Sequence, residues 1–277
     1  MEEEKVKERV GKLVIIGGAE DKEERCEILR EVVSLAGGEK SKIIVMTTAT
    51  EKAEEVGEMY ETIFKRLGAK EVRIVNINSR QKEEIENAKG LLRNCDCVFF
   101  TGGDQLRITS ILGGSGVDDM LRDMHEKGVL IVGTSAGASV MSQTMIVEGN
   151  DDDSPRKCTI KMAPGLGLLK NVIIDQHFAQ RGRIGRLLAA IAQNPSNLGI
   201  GIDEDTAIVV EENRFKVIGN NAVTVVDGRW LTHSNVSESK PDEILALTNV
   251  LIHILPSGYQ FDLKRWRPEP AIEEDKI

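Results

Sequence analysis

The sequence predicts an α/β protein with a mostly parallel sheet covered by helices on both faces. Short apolar, β-branched runs alternate with amphipathic stretches, and the connections between them are short. These apolar runs are nearly continuous, as expected for strands that are buried on both faces. We therefore expect a three-layer sandwich formed by a single domain over residues 1–277, with frayed termini at about 1–9 and 268–277.

The first half of the chain contains five predicted strands and four predicted helices. The strands are expected at Lys12–Ile16, Lys42–Met46, Val72–Ile77, Cys97–Phe100 and Val129–Val132, and the helices at Glu23–Leu35, Ala53–Leu67, Glu83–Leu92 and Val117–Lys127. In the first helix, Cys26, Leu29 and Val33 fall on one face at helical spacing. Glycines after the helices are typical stop signals.

The second half has a different pattern. A strand is expected at Val172–Ile174 and a last helix at Asp242–Ile254. Short strands separated by turns are expected at Gly199–Ile202, Ala207–Val210, Phe215–Ile218 and Ala222–Val226. We expect these short strands to be antiparallel additions to the same sheet. The stretch Gly149–Pro164 is either a solvated surface loop or the rim or lid of a site.

Composition excludes several classes of partner. The 277 residues are 40% hydrophobic, which is enough for a substantial core. A formal net charge of −9 disfavours binding to nucleic acid or to an anionic membrane. No stretch approaches the roughly 20 apolar residues that span a bilayer, and the acidic N-terminus lacks the pattern of a secretory signal. We therefore expect a cytoplasmic location.

The four cysteines do not indicate a metal site or a disulfide framework. Cys26, Cys95, Cys97 and Cys158 are few for this length, which suits a reducing compartment. Cys95 and Cys97 lack the second pair, or the nearby histidines, that zinc requires. The sequence predicts no metal ion and no organic cofactor.

One motif indicates nucleophilic chemistry. Gly133-Thr134-Ser135-Ala136-Gly137 follows a predicted strand and precedes a short stretch of small residues. This is G-x-S-x-G in the strand–turn–helix context of a nucleophile elbow, where a strained turn raises the serine hydroxyl above the sheet. The helix behind it directs free N–H groups towards a developing oxyanion. The alternative is a tight turn with Ser135 as a helix N-cap.

A serine nucleophile needs a base, and four histidines are available. His125 lies at the end of a predicted helix, His233 lies beside a turn, and His253 lies inside an apolar run. His177 follows the strand Val172–Ile174, at the edge where sites in parallel sheets collect, and its neighbours are polar. The sequence favours His177.

The base needs an acid that fixes its tautomer. Asp203, Glu204 and Asp205 follow the predicted strand Gly199–Ile202, and their spacing does not choose among them. All three could instead be solvated loop residues.

Two other strands end in glycine turns. Thr101-Gly102-Gly103-Asp104-Gln105 offers backbone N–H groups suited to an oxyanion hole, although an ordinary glycine turn explains it equally well. Gly17-Gly18-Ala19-Glu20 lacks the third glycine of a dinucleotide fingerprint, so nucleotide binding is not inferred.

Taken together, these blocks resemble those of the cyanophycinases, serine peptidases related to the aspartyl dipeptidases (peptidase E). The matching blocks are residues 100–105, 133–139, 163–167, 175–183 and 199–207, in the family's order. The block from Asp175 to Arg183 is the most specific. The resemblance implies a fold like that of class I glutamine amidotransferases, with Ser135 as nucleophile, His177 as base and Glu204 as acid.

The resemblance also implies a substrate, cyanophycin (multi-L-arginyl-poly-L-aspartate), from which β-Asp-Arg dipeptides are released through an acyl-enzyme. Backbone N–H groups of Gly103 and Ala136 would form the oxyanion hole. The implied substrate-binding residues are Gln105, Asp175, Gln176, Arg181, Arg183 and Arg186, although a solvated helix face is an equal alternative for Arg186. A homodimer is implied as well. The alternatives are an aspartyl dipeptidase that acts on small Asp-X peptides and an inactive binding protein on the same fold.

Overall fold

The computed structural model describes residues 10–149, 151 and 154–270. The helices are α1 Glu27–Leu35, α2 Ala53–Arg66, α3 Lys82–Leu92, α4 Gln105–Leu112, α5 Val117–Glu126, α6 Ala136–Ser139 and α7 Ile184–Gln193. The strands up to residue 202 are β1 Leu13–Ile16, β2 Lys42–Met46, β3 Glu71–Val75, β4 Cys97–Phe100, β5 Leu130–Thr134, β6 Thr144–Gly149, β7 Ile160–Pro164, β8 Val172–Gln176 and β9 Leu198–Ile202. The later strands are β10 Thr206–Glu211, β11 Arg214–Gly219, β12 Ala222–Asp227, β13 His233–Ser234, β14 Leu247–Thr248, β15 Leu251–Pro256, β16 Gln260–Asp262 and β17 Arg267–Glu269.

The main sheet has nine strands in the order β17-β16-β11-β10-β1-β5-β4-β2-β3. The five strands from β1 to β3 along this order are parallel, and the four strands on the other side are antiparallel additions. The predicted fold class is confirmed. No helix among the described residues is long and apolar enough to cross a membrane.

The central strands are buried on both faces, as their continuous apolar sequences predict. In β1, Leu13 and Ile15 belong to a core shared with α3, α4 and α5, whereas Val14 and Ile16 belong to a core shared with α1 and α2. Because successive side chains of a strand point to opposite faces, helices cover both faces of this sheet.

A second, four-stranded sheet, in the order β15-β12-β9-β8, holds two of the late strands. The prediction that all late strands extend the main sheet is therefore wrong for β9 and β12, although it is right for β10 and β11. Helix α7 packs on the second sheet, where Leu187 and Ile191 share a core with Ile173 and Val226. The chain passes from one sheet to the other between β9 and β10, at residues 203–205.

The predicted last helix, Asp242–Ile254, is wrong. Residues 247–248 and 251–256 form strands β14 and β15, and β15 pairs with β12 along its full length. Apolar Leu251, Ile252 and Ile254 fit a helix or a strand equally well by local pattern, and the distant pairing partner decides. The C-terminal boundary also differs, because Pro268 and Glu269 pair in β17. Residues 1–9 and 271–277 lie outside the described residues.

Three other segments differ from expectation. Helix α1 begins at Glu27, not at Glu23, because the carboxylate of Asp21 accepts hydrogen bonds from the backbone N–H groups of Glu23, Glu24 and Cys26 and holds a turn there. Helix α4, capped by the side chain of Asp104, is not predicted from the sequence. The stretch Gly149–Pro164 is partly a strand, since β7 pairs with β6 in a hairpin.

Candidate active site

Ser135 lies in a strained turn directly after β5. Its φ of 54° and ψ of −113° are unusual for a residue with a side chain. The glycines on either side are required by space: a Cβ on Gly133 would lie 2.2 Å from the carbonyl oxygen of Gly137, and a Cβ on Gly137 would lie 2.5 Å from that of Phe100. The strand therefore ends in a tight turn at Ser135, between β5 and α6.

His177 reaches Ser135 from the second sheet. It follows β8, and its backbone N–H donates to the carbonyl oxygen of Gly17, 2.8 Å away, at the end of β1. The imidazole Nε2 lies 3.0 Å from the Ser135 hydroxyl oxygen, and Nδ1 lies 2.6 Å from Oε1 of Glu204. A hydroxyl, an imidazole and a carboxylate are thus joined in series.

Of the three acidic residues between β9 and β10, Glu204 is the one that contacts His177. The oxygens of Asp203 accept backbone N–H groups of Ala179 and Ala222, 3.0 and 3.3 Å away. Asp205 accepts the backbone N–H of Asp21 and the side-chain amide of Asn220. These two carboxylates hold the crossover between the sheets, which leaves the middle side chain directed at the imidazole.

Burial lowers the pKa of His177 below its ordinary value, and the positive charges of Arg181 and Arg183 act in the same direction. The hydrogen bond and charge of Glu204 oppose the shift. A lowered pKa keeps the imidazole neutral at neutral pH, so Nε2 can accept a proton from a hydroxyl.

The glycine turn after β4 lies beside the serine. A Cβ on Gly102 would lie 3.4 Å from the Cβ of Ser135. Gly103 has a φ of 145°, and a Cβ there would lie 2.2 Å from the carbonyl oxygen of Ala49. Only glycine fits position 103, where the turn packs against Ala49, whereas Gly102 is the residue of the turn that faces Ser135.

The two glutamines differ in their placement. The side-chain oxygen of Gln176 lies 3.4 Å from the Ser135 hydroxyl. The amide nitrogen of Gln105 donates to the carbonyl oxygens of Ile146 and Val147, at 3.1 and 2.8 Å, and so fastens α4 to β6.

The three arginines lie in two environments. Arg181 is exposed beside His177, whereas Arg183 and Arg186 are buried, so the alternative of a solvated helix face is wrong for Arg186. Asp175 binds Arg186 through both carboxylate oxygens, with Nε at 2.6 Å. Arg183 donates to the carbonyl oxygen of Gln176, 2.6 Å away, and lies 3.6 Å from Asp175.

Asp151 joins this cluster, and sequence reasoning did not assign it a role. Its Oδ1 lies 2.9 Å from Nε of Arg183 and 3.5 Å from a guanidinium nitrogen of Arg186. The sequence feature that could have identified Asp151 is the position of its loop soon after Ser135, which is compatible with the rim of a site.

The fold and this series of contacts define the class of serine hydrolases built on an α/β sandwich. The profile of Peptidase family S51 matches residues 13–218. The chain belongs to Peptidase family S51 and is a serine peptidase.

Relatives and a solved structure agree with this assignment. A cyanophycinase from Nostoc sp. (strain PCC 7120) is 41% identical over 94% of this chain and 88% of its own. A cyanophycinase from Geminocystis herdmanii (strain PCC 6308) is 38% identical over 95% of this chain and 97% of its own. The crystal structure of a peptidase from an acI-B1 Actinobacterium, 21% identical, has a TM-score of 0.61 over 88% of this chain and 97% of its own, which supports the fold.

Proposed function

We propose that this serine peptidase hydrolyses cyanophycin as an exopeptidase and releases β-Asp-Arg dipeptides through an acyl-enzyme. The observation that carries the proposal is the series Ser135 Oγ, His177 Nε2, His177 Nδ1 and Glu204 Oε1, joined at 3.0 and 2.6 Å. The cyanophycinases that are 41% and 38% identical over nearly the whole chain support the choice of substrate.

In the proposed reaction, Nε2 of His177 takes the hydroxyl proton as Ser135 attacks the backbone carbonyl carbon of the substrate. Glu204 fixes the tautomer of the ring and stabilises the imidazolium. The tetrahedral intermediate collapses with cleavage of the C–N bond, and His177 gives its proton to the leaving amine. Water then attacks the ester, again with His177 as base, and the serine is restored.

The negative oxygen of the intermediate needs donors that are fixed in advance. We assign this role to the backbone N–H groups of Gly103 and Ala136. The close approach of the turn at Gly102 to Ser135 and the position of Ala136 directly after the serine support the assignment.

The substrate repeats a carboxylate and a guanidinium, and the charged and amide side chains around Ser135 would position it. We propose that Arg181 binds a substrate carboxylate, because its side chain is exposed beside the imidazole. Gln176, next to the serine hydroxyl, would orient the reacting residue. Asp175, Arg183 and Arg186 would form the charged floor of the pocket, and Gln105 its wall at β6.

Mass spectrometry of cyanophycin digests tests the substrate assignment. The expected product is β-Asp-Arg, and Ser135→Ala, which removes the nucleophile but little volume, is expected to yield none. Cleavage of small Asp-X dipeptides without cleavage of the polymer would instead identify an aspartyl dipeptidase. Failure of a fluorophosphonate probe to label the wild-type protein would indicate an inactive binding protein.

We also propose that the protein is a cytoplasmic homodimer. The described cysteines are all free, which suits a reducing compartment. Strand β15 is an edge strand of the second sheet and exposes Leu251, Ile252 and Ile254, an unusual surface for a monomer. Light scattering of the purified protein at micromolar concentration tests the dimer, and a monomeric mass would refute it.

A further inference from the structure

A carboxylate that the proposed reaction does not use is buried behind the nucleophile turn. Glu20 follows β1 by four residues, and its side chain is 1% exposed. A carboxylate placed in such an environment is costly unless donors and a positive charge compensate it.

Three side chains compensate this carboxylate. Tyr60 of α2 donates its hydroxyl to Oε1, and the ammonium of Lys22 lies 2.9 Å from the same oxygen. Burial, and then the charge of Glu20, raise the pKa of Tyr60 well above its ordinary value, so the phenol remains a donor. The second oxygen, Oε2, accepts the hydroxyl of Thr134 at 2.6 Å.

Thr134 directly precedes Ser135, so its hydrogen bond to Glu20 can influence the position of the serine. It is the last residue of β5 and is 3% exposed. The next residue departs from strand geometry to a φ of 54°, a conformation that persists only when the surrounding structure fixes it. The backbone N–H of Ser135 donates to Ile16 of β1, 3.1 Å away. Backbone and side chain thus tie both residues of the turn to the end of β1.

The segment that carries Glu20 also contacts the other two groups of the site. Gly17 accepts the backbone N–H of His177 at 2.8 Å, and Gly18 accepts the backbone N–H of Asp205, next to the acid, at 2.9 Å. The Glu20 carboxylate anchors this segment to β5. Glu20 therefore links the segment that contacts His177 to strand β5, which precedes Ser135.

We propose that Glu20 is a positioning residue for Ser135: through the Thr134 hydroxyl, its buried carboxylate holds the turn that presents the nucleophile. The proposal rests on the proposed function only in taking Ser135 as the nucleophile. It assigns the positioning of the serine to the contact between Glu20 and Thr134, whereas Tyr60 and Lys22, on the other carboxylate oxygen, stabilise the buried charge.

The test measures the rate at which a fluorophosphonate labels Ser135, together with kcat and KM on cyanophycin and the Tm of each variant. Thr134→Val removes the hydroxyl at nearly constant shape, and Glu20→Gln removes the charge. Both are expected to lower the labelling rate and kcat on the order of 10- to 100-fold, with KM within about twofold, because small displacements of a nucleophile are costly. Thr134→Ser restores the hydroxyl and is expected to recover most of the rate.

Two further variants separate positioning from stability. Tyr60→Phe removes a hydrogen bond to the other oxygen of Glu20 and is expected to lower the Tm while the labelling rate stays within about twofold of wild type. The double variant Glu20→Gln/Thr134→Val is expected to be no slower than the slower single variant, because both act through one contact.

Several outcomes would overturn the proposal. These are unchanged labelling in Thr134→Val and Glu20→Gln, a Thr134→Ser variant as slow as Thr134→Val, or an equal loss of rate in Tyr60→Phe. If Glu20→Gln does not fold, the Thr134 pair decides alone. Absence of labelling in the wild-type protein would instead refute the nucleophile assignment, so the two failures are distinguishable.

Discussion

Removal of one charge from the buried pair Asp175–Arg186 is expected to be among the most destabilising changes near the site. Asp175 is 1% exposed and Arg186 is 7% exposed, and they form a bidentate pair. In Asp175→Asn, Asp151, a side chain that is 44% exposed and 3.5 Å away, is the one carboxylate partner that the Arg186 guanidinium keeps among the described residues. A buried charge left in this way costs about 3–5 kcal/mol of unfolding free energy.

That loss corresponds to a fall in Tm of roughly 6–20 °C, taking about 2–4 °C per kcal/mol for a domain of this size. Urea denaturation followed by circular dichroism measures the free energy directly. Asp175→Asn/Arg186→Gln removes both charges and is expected to be more stable than Asp175→Asn alone. The surface pair Lys161–Glu148, in which both side chains are mostly exposed, provides the matched control: Glu148→Gln is expected to leave the Tm unchanged.

A loss below about 1 kcal/mol in Asp175→Asn would refute this reasoning, because it would mean that the guanidinium finds water or another partner. An additive double variant would refute it as well. Either result would indicate that Arg186 is available to bind substrate and is not held in place by Asp175.

Three further predictions concern the reaction. Arg181→Gln removes a positive charge that lowers the pKa of His177, so the acidic limb of the kcat/KM profile, below which the base is protonated, is expected to move to higher pH, whereas Arg181→Lys keeps it in place. Glu204→Gln is expected to lower kcat by about 10³- to 10⁴-fold. Asp203→Asn weakens the two hydrogen bonds from the backbone N–H groups of Ala179 and Ala222, so it is expected to lower Tm and to keep kcat within a few fold. Equal kcat losses in the two variants would contradict the assignment. Gly18→Ala places a Cβ 2.4 Å from the ring of His177 at a φ of 98° and is expected to lower kcat more than it raises KM, which steady-state kinetics would show.

The parallel half of the fold and the serine turn could be predicted because local sequence determines them. Strands such as β4 and β5 are short apolar runs with no polar alternation, and they end in the glycines that close approach requires. The preference for His177 among the four histidines rests on its position after β8, at the carboxyl end of a strand that pairs in parallel with β9. Each of these inferences needs only neighbouring residues.

The remaining features depend on contacts between distant segments. Sequence spacing does not show which of Asp203, Glu204 and Asp205 contacts His177. In the structure, distant backbone N–H groups bind the carboxylates of Asp203 and Asp205, and Glu204 is left to reach the imidazole. Strand β15 was mistaken for a helix because its partner β12 lies more than 20 residues earlier. The role of Arg186 was undecided because its burial depends on how α7 packs on the second sheet.

The two sheets explain why the first strand ends in a pair of glycines that fits no nucleotide fingerprint. Ser135 is presented by the main sheet, His177 by the second sheet, and Glu204 by the crossover between them. The Ser–His hydrogen bond therefore exists only if the sheets meet at van der Waals distance. A Cβ on Gly17 would lie 2.0 Å from the carbonyl oxygen of Asp203, and one on Gly18 would lie 2.4 Å from the imidazole. The absence of side chains at Gly17 and Gly18 thus allows the two sheets to pack closely, and this packing brings the three groups of the site together.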